Sequence, residues 1–183
     1  MAENLKIGIV GDFNFSLNSH HATNLSMEHG QRLLDREINY YWIRSLEVMN
    51  WKQEDFSNYD GFLVAPGPFE NNFFMRGIIR SLVESKKATL ITGEAFKYFI
   101  DLLIDQYNLH PNGEKLISDN LVEHGQFEKV EVIPHSKNLK KIYQDFSRTE
   151  FTLCRYSMYP HLIDFLTKEI LDIEAINQLE EPE

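Results

Sequence analysis

Cysteine and basic residues are both scarce in this sequence. Its 183 residues include a single cysteine, Cys154, so no disulfide can form within the chain. Lysine and arginine total 18 against 28 aspartates and glutamates, which gives a formal net charge of −10. Such a surface repels phosphate backbones and anionic membrane faces, because affinity for nucleic acids comes largely from basic side chains. We therefore expect neither nucleic acid nor a membrane surface as a partner.

Long apolar runs are also lacking. No stretch approaches the roughly 18–20 apolar residues that a membrane span requires. Residues 1–6 contain no basic segment followed by an apolar run, so a secretory signal is not expected there. There are no repeats and no linker-like tracts. We expect one cytoplasmic domain over residues 1–183, with a solvated acidic tail at 174–183.

Strand-like and helix-like patterns alternate along the chain. Short apolar runs that end in glycine or proline are typical of buried parallel strands, and amphipathic patterns between them indicate helices. This alternation predicts an α/β fold with a flavodoxin-like, doubly wound, mainly parallel sheet and helices on both faces. The predicted strands cover residues 6–11, 38–43, 60–65, 88–92, 129–133 and 151–154, and the predicted helices cover 20–35, 75–82, 96–104 and 161–171.

Ligands of such sheets bind beyond the carboxyl ends of the strands. In this sequence those ends lead into the loops at residues 11–19, 66–72 and 92–95. These loops are therefore the predicted location of a functional site.

The same loops carry a resemblance to a known family. The segments KIGIVGDF at 6–13 and DGFLVAPGPF at 60–69 resemble the glutaminase domain of CTP synthase. Stand-alone proteins related to that region are more similar still. They share a Gly-Asp-aromatic-Asn opening before a histidine and a later Cys-x-Tyr-x-x-x-Pro segment, matched here by GDFN at 11–14 and CRYSMYP at 154–160. Over about residues 5–160, the chain thus resembles a class I glutamine amidotransferase.

The resemblance implies a catalytic site whose nucleophile is missing here. The family has a cysteine on a tight strand-to-helix turn of pattern Gly-x-Cys-x-Gly, and the corresponding segment ITGEAFK puts Gly93 at that place. A shift by one residue would bring Thr92 or Glu94 there instead, and neither is a ready substitute for a thiolate. Glycine adopts positive φ freely, so Gly93 is expected to keep the turn without its strain.

Other parts of the family's machinery are missing as well. The loop after the third strand supplies backbone N–H groups to an oxyanion hole in the family. Gly67 and Pro68 occupy that stretch here, and proline has no N–H. The family's catalytic histidine lies near the carboxyl terminus, but no histidine follows His161. We interpret Cys154 as a small buried apolar residue. The expectation is a protein without catalytic residues for glutamine hydrolysis.

The same edge of the sheet also suggests a different chemistry. Asp12, His20, His21 and Glu94 are expected to converge there, and a histidine with carboxylates can bind a metal or act as an acid–base pair. Adjacent histidines on a helix point about 100° apart, and no metal-ligand spacing is present, so we expect neither a metal nor a cofactor. The alternative function is an enzyme in which Glu94 acts as general base beside His20 or His21.

The leading hypothesis is a degenerate amidotransferase-like protein that binds a small molecule or a protein partner in an inherited pocket. The bulky Phe73 and Phe74 are expected either to cover that pocket or to form a patch for a partner, and a homodimer is compatible with the sequence. The candidate pocket residues are Asp12, His20, His21, Gly67, Pro68, Thr92, Gly93 and Glu94.

Overall fold

The fold is that of a computed structural model, which describes residues 4–109, 113, 115–119, 128–144, 146–152 and 156–182. Contacts divide the chain into two compact units, Met1–Tyr107 and Asn108–Glu183, and each is described by itself. The expectation of one domain over the whole chain stays a prediction.

The amino-terminal unit is built on a four-stranded, wholly parallel sheet in the order β2-β1-β3-β4. Every predicted strand of this unit is confirmed. The strands are β1 (Leu5–Val10), β2 (Ile38–Ile43), β3 (Gly61–Val64) and β4 (Ala88–Ile91), and the helices are α1 (Asn18–Leu34), α2 (Ser45–Val48), α3 (Gln53–Phe56), α4 (Asn72–Glu84) and α5 (Glu94–Tyr107). The order reverses at β1, which lies between β2 and β3.

Alternation along β1 and β3 sends apolar side chains to both faces of this sheet. Val10 and Val64 belong to a cluster that includes Met75 of α4 and Ala95 of α5. Ile9 and Leu63, their neighbours in sequence, belong to a separate cluster against which Met27 of α1 packs. Full burial of such a side chain contributes about 1.5–3 kcal/mol. The predicted α/β sheet flanked by helices on both faces is therefore present in this unit.

Helix α4 follows from its apolar spacing. Met75, Ile78, Ile79 and Leu82 recur on one helical face and are all buried. The four-residue helices α2 and α3 were not predicted, since neither is long enough to display a helical period. The side chain of Asp55 accepts from the backbone N–H of Lys52 at 2.7 Å and so fixes the start of α3.

The carboxyl-terminal unit differs from the predicted continuation of a parallel sheet. Its described elements are β5 (Ile117–Asp119), β6 (Glu128–Pro134), α6 (Lys137–Tyr143), β7 (Arg148–Thr152), β8 (Tyr156–Met158), α7 (Pro160–Glu169) and β9 (Ala175–Ile176). The pairs β5–β8, β6–β7 and β6–β9 are all antiparallel. The physical reason is visible in β6, where exposed Lys129 and Glu131 alternate with buried Val130. That period suits an antiparallel sheet with one solvated face.

Part of the predicted solvated tail, 174–183, is ordered differently. Ala175 and Ile176 form β9 against β6, and Ala175 is only 1% exposed. Asn177 is buried, and its backbone N–H donates to the carbonyl of Glu181 at 2.8 Å. Ala175 and Ile176 are apolar and pair with the antiparallel strand β6, which explains why this part of the tail is ordered. Cys154 lies outside the described residues, so its interpretation as a small buried apolar residue stays a prediction. Within the described ranges, none of the helices combines the length and the apolarity needed to cross a bilayer.

Candidate functional site

Three loops leave the parallel sheet at its carboxyl edge, after β1, β3 and β4. They hold all the predicted pocket residues except His20 and His21, which lie in the first turns of α1, and Glu94, which begins α5. This is the edge at which open α/β sheets bind ligands.

His20 joins two of these loops and is buried, with 1% of its surface exposed. Its Nδ1 lies 3.0 Å from the backbone nitrogen of Asn14, which can only donate. Its Nε2 lies 3.2 Å from the carbonyl oxygen of Gly67, which can only accept. Both contacts are satisfied at once only by the neutral ring with its proton on Nε2. His20 therefore links the loop after β1 to the loop after β3 through both ring nitrogens.

Aromatic rings surround His20 on two sides. Its ring centroid lies 4.8 Å from that of Trp42 and 5.8 Å from that of Phe13. Burial, which disfavours the charged ring, lowers the pKa of His20 below its ordinary value. The hydrogen bond to Gly67 acts in the opposite direction and the charge of His21 in the same direction, both more weakly. His20 is thus held neutral at pH 7.

We expect acidification to destabilise the protein through His20. Since its pKa is lowered in the folded state, the unfolded chain binds the proton more readily. The stabilisation is fully present above the unfolded pKa of about 6.5 and is lost as the pH falls from there through the lower folded value. Urea unfolding measured between about pH 7.5 and 5 should show this loss, and it should be smaller in a His20→Gln variant. An equal slope in both proteins would contradict the assignment.

The remaining polar groups near α1 are hydrogen-bonded as well. His21 is exposed, and its Nε2 lies 2.8 Å from the carbonyl oxygen of Phe15. Asp12 accepts a hydrogen bond of 2.7 Å from the hydroxyl of Ser45, which is buried at the start of α2. No group of three or more potential metal ligands occurs among the described residues.

The turn after β4 keeps the backbone of an elbow but has no room for a nucleophile. Gly93 has φ +59°, the left-handed conformation expected for it. A Cβ at this position would lie 2.6 Å from both Cβ and the carbonyl oxygen of Pro66. The backbone N–H of Glu94 donates to that same carbonyl at 2.8 Å. The turn thus offers neither space for a side chain nor a free N–H from Glu94 for an oxyanion.

The side chain of Glu94 fills the space above the loop after β3. One carboxylate oxygen accepts from the hydroxyl of Tyr98 at 3.1 Å. The other lies 2.7 Å from the point where a Cβ on Gly67 would be. Phe69 is buried against Tyr98, with ring centroids 6.2 Å apart, while Pro68 is exposed. In the region that the resemblance identifies as the pocket, Glu94 and Phe69 therefore occupy the space beside Gly67, while Gly93 and Pro68 are exposed.

The predicted residues are brought to one edge but not into one catalytic group. Thr92 donates to the carbonyl of Val64 at 3.2 Å, which joins β4 to β3. The described hydrogen bonds of Glu94 go to Pro66 and Tyr98, and no described hydrogen bond joins it to His20 or His21. The acid–base pair proposed as the alternative thus lacks a direct contact.

An open cleft of about 320 Å³ lies at the same edge. Asp12 is the predicted pocket residue that lines it, and Gly11, Phe13 and Glu70 lie in the loops at 11–19 and 66–72 that the sequence predicts for the site. Arg44 follows β2 directly, at a strand end that the prediction does not include. The cleft is lined by Gly11, Asp12, Phe13, Trp42, Arg44 and Glu70.

Comparison with known proteins adds no family to this geometry. The chain matches no family model and no curated protein. The likeness to class I glutamine amidotransferases therefore rests only on the sequence segments described above.

Proposed function

We propose that this protein is a non-hydrolytic relative of the class I glutamine amidotransferases, close to the CTP synthase glutaminase region. Its function is then to bind a small molecule or a protein partner. One observation carries the proposal. At Gly93, where the family has its cysteine, Pro66 atoms stand 2.6 Å from any added Cβ. No rotamer of a side chain relieves that overlap, because it involves the Cβ itself and a backbone oxygen.

The loss extends from the nucleophile to the oxyanion site. In the family the N–H after the nucleophile stabilises the developing negative charge. Here that N–H belongs to Glu94 and is already bonded to the Pro66 carbonyl at 2.8 Å. Freeing this N–H to bind an oxyanion would break that hydrogen bond. The turn therefore favours a stable backbone over acyl transfer.

A binding role agrees with what the edge exposes. Phe15 after β1 and Phe73 in α4 are 82% and 89% exposed, and Phe96 in α5 is also exposed. Large exposed aromatic side chains at one sheet edge are typical of interaction surfaces. The polar cleft beside them supports a small-molecule ligand. Altered acid–base chemistry is less favoured, because both ring nitrogens of His20 are already bonded.

The proposal is tested by ammonia release from glutamine. We expect the purified chain to release no ammonia above the buffer background and to form no adduct with a diazoketone analogue of glutamine, since the turn at residues 92–95 itself carries no thiol. A class I glutaminase serves as positive control. Turnover or labelling by the wild-type chain that disappears in Cys154→Ser would mean that the sole thiol is catalytic, and the proposal would fall.

A further inference from the structure

We propose that the open cleft beside β1 and β2 binds a small zwitterion, an amino acid or close derivative carrying one ammonium and one carboxylate. This inference deepens the proposed binding function and rests on it. The cleft residues do not include Gly93 or Glu94, so the site is distinct from the turn that the resemblance identifies as catalytic.

The position of the cleft follows from the topology of the sheet. Trp42 lies on β2 and Arg44 follows it, while Asp12 and Phe13 follow β1. Glu70 comes from the loop after β3. The strand order reverses between β1 and β3, whose following loops contribute Asp12, Phe13 and Glu70, and open α/β sheets bind their ligands at such a reversal, outside the carboxyl ends.

The charges of the cleft call for a ligand with both signs. Arg44 offers a guanidinium, and Asp12 and Glu70 offer carboxylates. Neither Arg44 nor Glu70 forms an ion pair with another residue in the part of the chain that the structure describes. A guanidinium binds a carboxylate through two parallel hydrogen bonds, and a carboxylate binds an ammonium through a charge-assisted one. An amino acid supplies both complements in one molecule.

Aromatic rings add a second reason for an ammonium group. The rings of Phe13 and Trp42 meet edge to face, with centroids 4.9 Å apart, and both line the cleft. The faces of such rings attract cations. The indole N–H of Trp42 is already used, since it donates to Asn24 at 2.8 Å, so Trp42 offers its ring and not a hydrogen bond.

The β1 side of the cleft is fixed before any ligand arrives, whereas Arg44 and Glu70 are exposed. Asp12 is held by Ser45, Trp42 by Asn24, and the loop after β1 by His20. A preformed site avoids much of the entropic cost of ordering side chains on binding. The volume of about 320 Å³ is at the small end for ligand sites, which suits a single metabolite and excludes a dinucleotide. Two carboxylates against one guanidinium also disfavour a phosphate.

The test is a binding screen of the twenty protein amino acids against the full chain, by thermal shift at about 5 mM and then by calorimetry. We expect at least one to raise the unfolding temperature. The methyl ester and the N-acetyl derivative of that amino acid, which lack the carboxylate and the ammonium respectively, should bind about tenfold more weakly or worse. Arg44→Met and Glu70→Gln should weaken binding to a similar degree. Arg80→Met and Glu84→Gln, exposed changes on α4, are the matched controls and should leave it within about twofold.

Three results would overturn the inference: no amino acid binding below about 10 mM, an ester that binds as well as its parent, or cleft variants that behave like the α4 controls. Inorganic phosphate binding more tightly than every amino acid would also overturn it. The glutaminase assay separates the two proposals. A negative screen without ammonia release removes only the zwitterion site, whereas ammonia release removes the proposed function whichever amino acid binds.

Discussion

Gly93→Ala is expected to lower the free energy of unfolding by about 2–5 kcal/mol. Two effects add at this position. A non-glycine residue in the left-handed region costs about 1–2 kcal/mol, and Gly93 has φ +59°. The new Cβ would also lie 2.6 Å from Pro66, and overpacking of this kind costs about 1–3 kcal/mol. Urea unfolding followed by circular dichroism measures the sum.

Gly113→Ala separates the two effects. Gly113 also has positive φ, +72°, but nothing lies within 4 Å of a Cβ built on it. Its substitution should therefore show the conformational penalty alone, about 1–2 kcal/mol. We further expect Gly93→Cys to be as destabilised as Gly93→Ala and to gain no glutaminase activity. Equal losses of stability in the alanine variants of Gly93 and Gly113 would contradict the overlap with Pro66. A well-folded, active Gly93→Cys would contradict the lack of space for a side chain at Gly93.

His20→Ala is expected to cost about 3–5 kcal/mol of stability. The substitution leaves the carbonyl of Gly67 without its partner in a buried place and the N–H of Asn14 without its partner in a partly buried one, and an unsatisfied buried group costs about 1–3 kcal/mol. It also removes a ring packed against Phe13 and Trp42. The same unfolding experiment at about pH 7.5 measures the loss, well above the range in which His20 titrates.

His29→Ala is the matched control, because His29 lies on the exposed side of the same helix, α1. Its effect should stay within about 0.5 kcal/mol. His20→Phe separates the packing of the ring from its hydrogen bonds, since it keeps an aromatic ring against Phe13 and Trp42 but forms neither hydrogen bond. If His20→Ala is no less stable than His29→Ala, the two loops are not held together by this side chain.

The parallel sheet could be predicted because its signals are local. The runs at β1 and β3 are apolar and end in Gly11 and Pro66, and the stripe of α4 repeats with the helical period. The carboxyl-terminal unit could not be assembled in the same way. Its strands were partly recognised, but the partner of a strand is a long-range choice. The alternation in β6 indicates an antiparallel sheet only once the exposure of its side chains is known.

The candidate site shows the same division between local and long-range information. The positive φ of Gly93 follows from residue type and turn position, and the structure has it. That Pro66 would occupy the place of the missing side chain depends on how two loops meet, which no spacing in the sequence records. The sequence predicts His20 as a pocket residue, whereas in the structure it is buried and bridges two loops. Arg44 belongs to no motif, so no local pattern in the sequence indicates it.

The two tryptophans give the protein a built-in optical probe. Trp42 lines the cleft and contacts His20, whereas Trp51 stacks on Tyr59 in the core cluster of the opposite face, with ring centroids 5.6 Å apart. With Trp51 replaced by phenylalanine, all indole emission would originate at the cleft. Its wavelength would then follow the polarity of that space, and its quenching would follow the charge on the neighbouring imidazole, so occupancy and protonation could be read from one spectrum without a label.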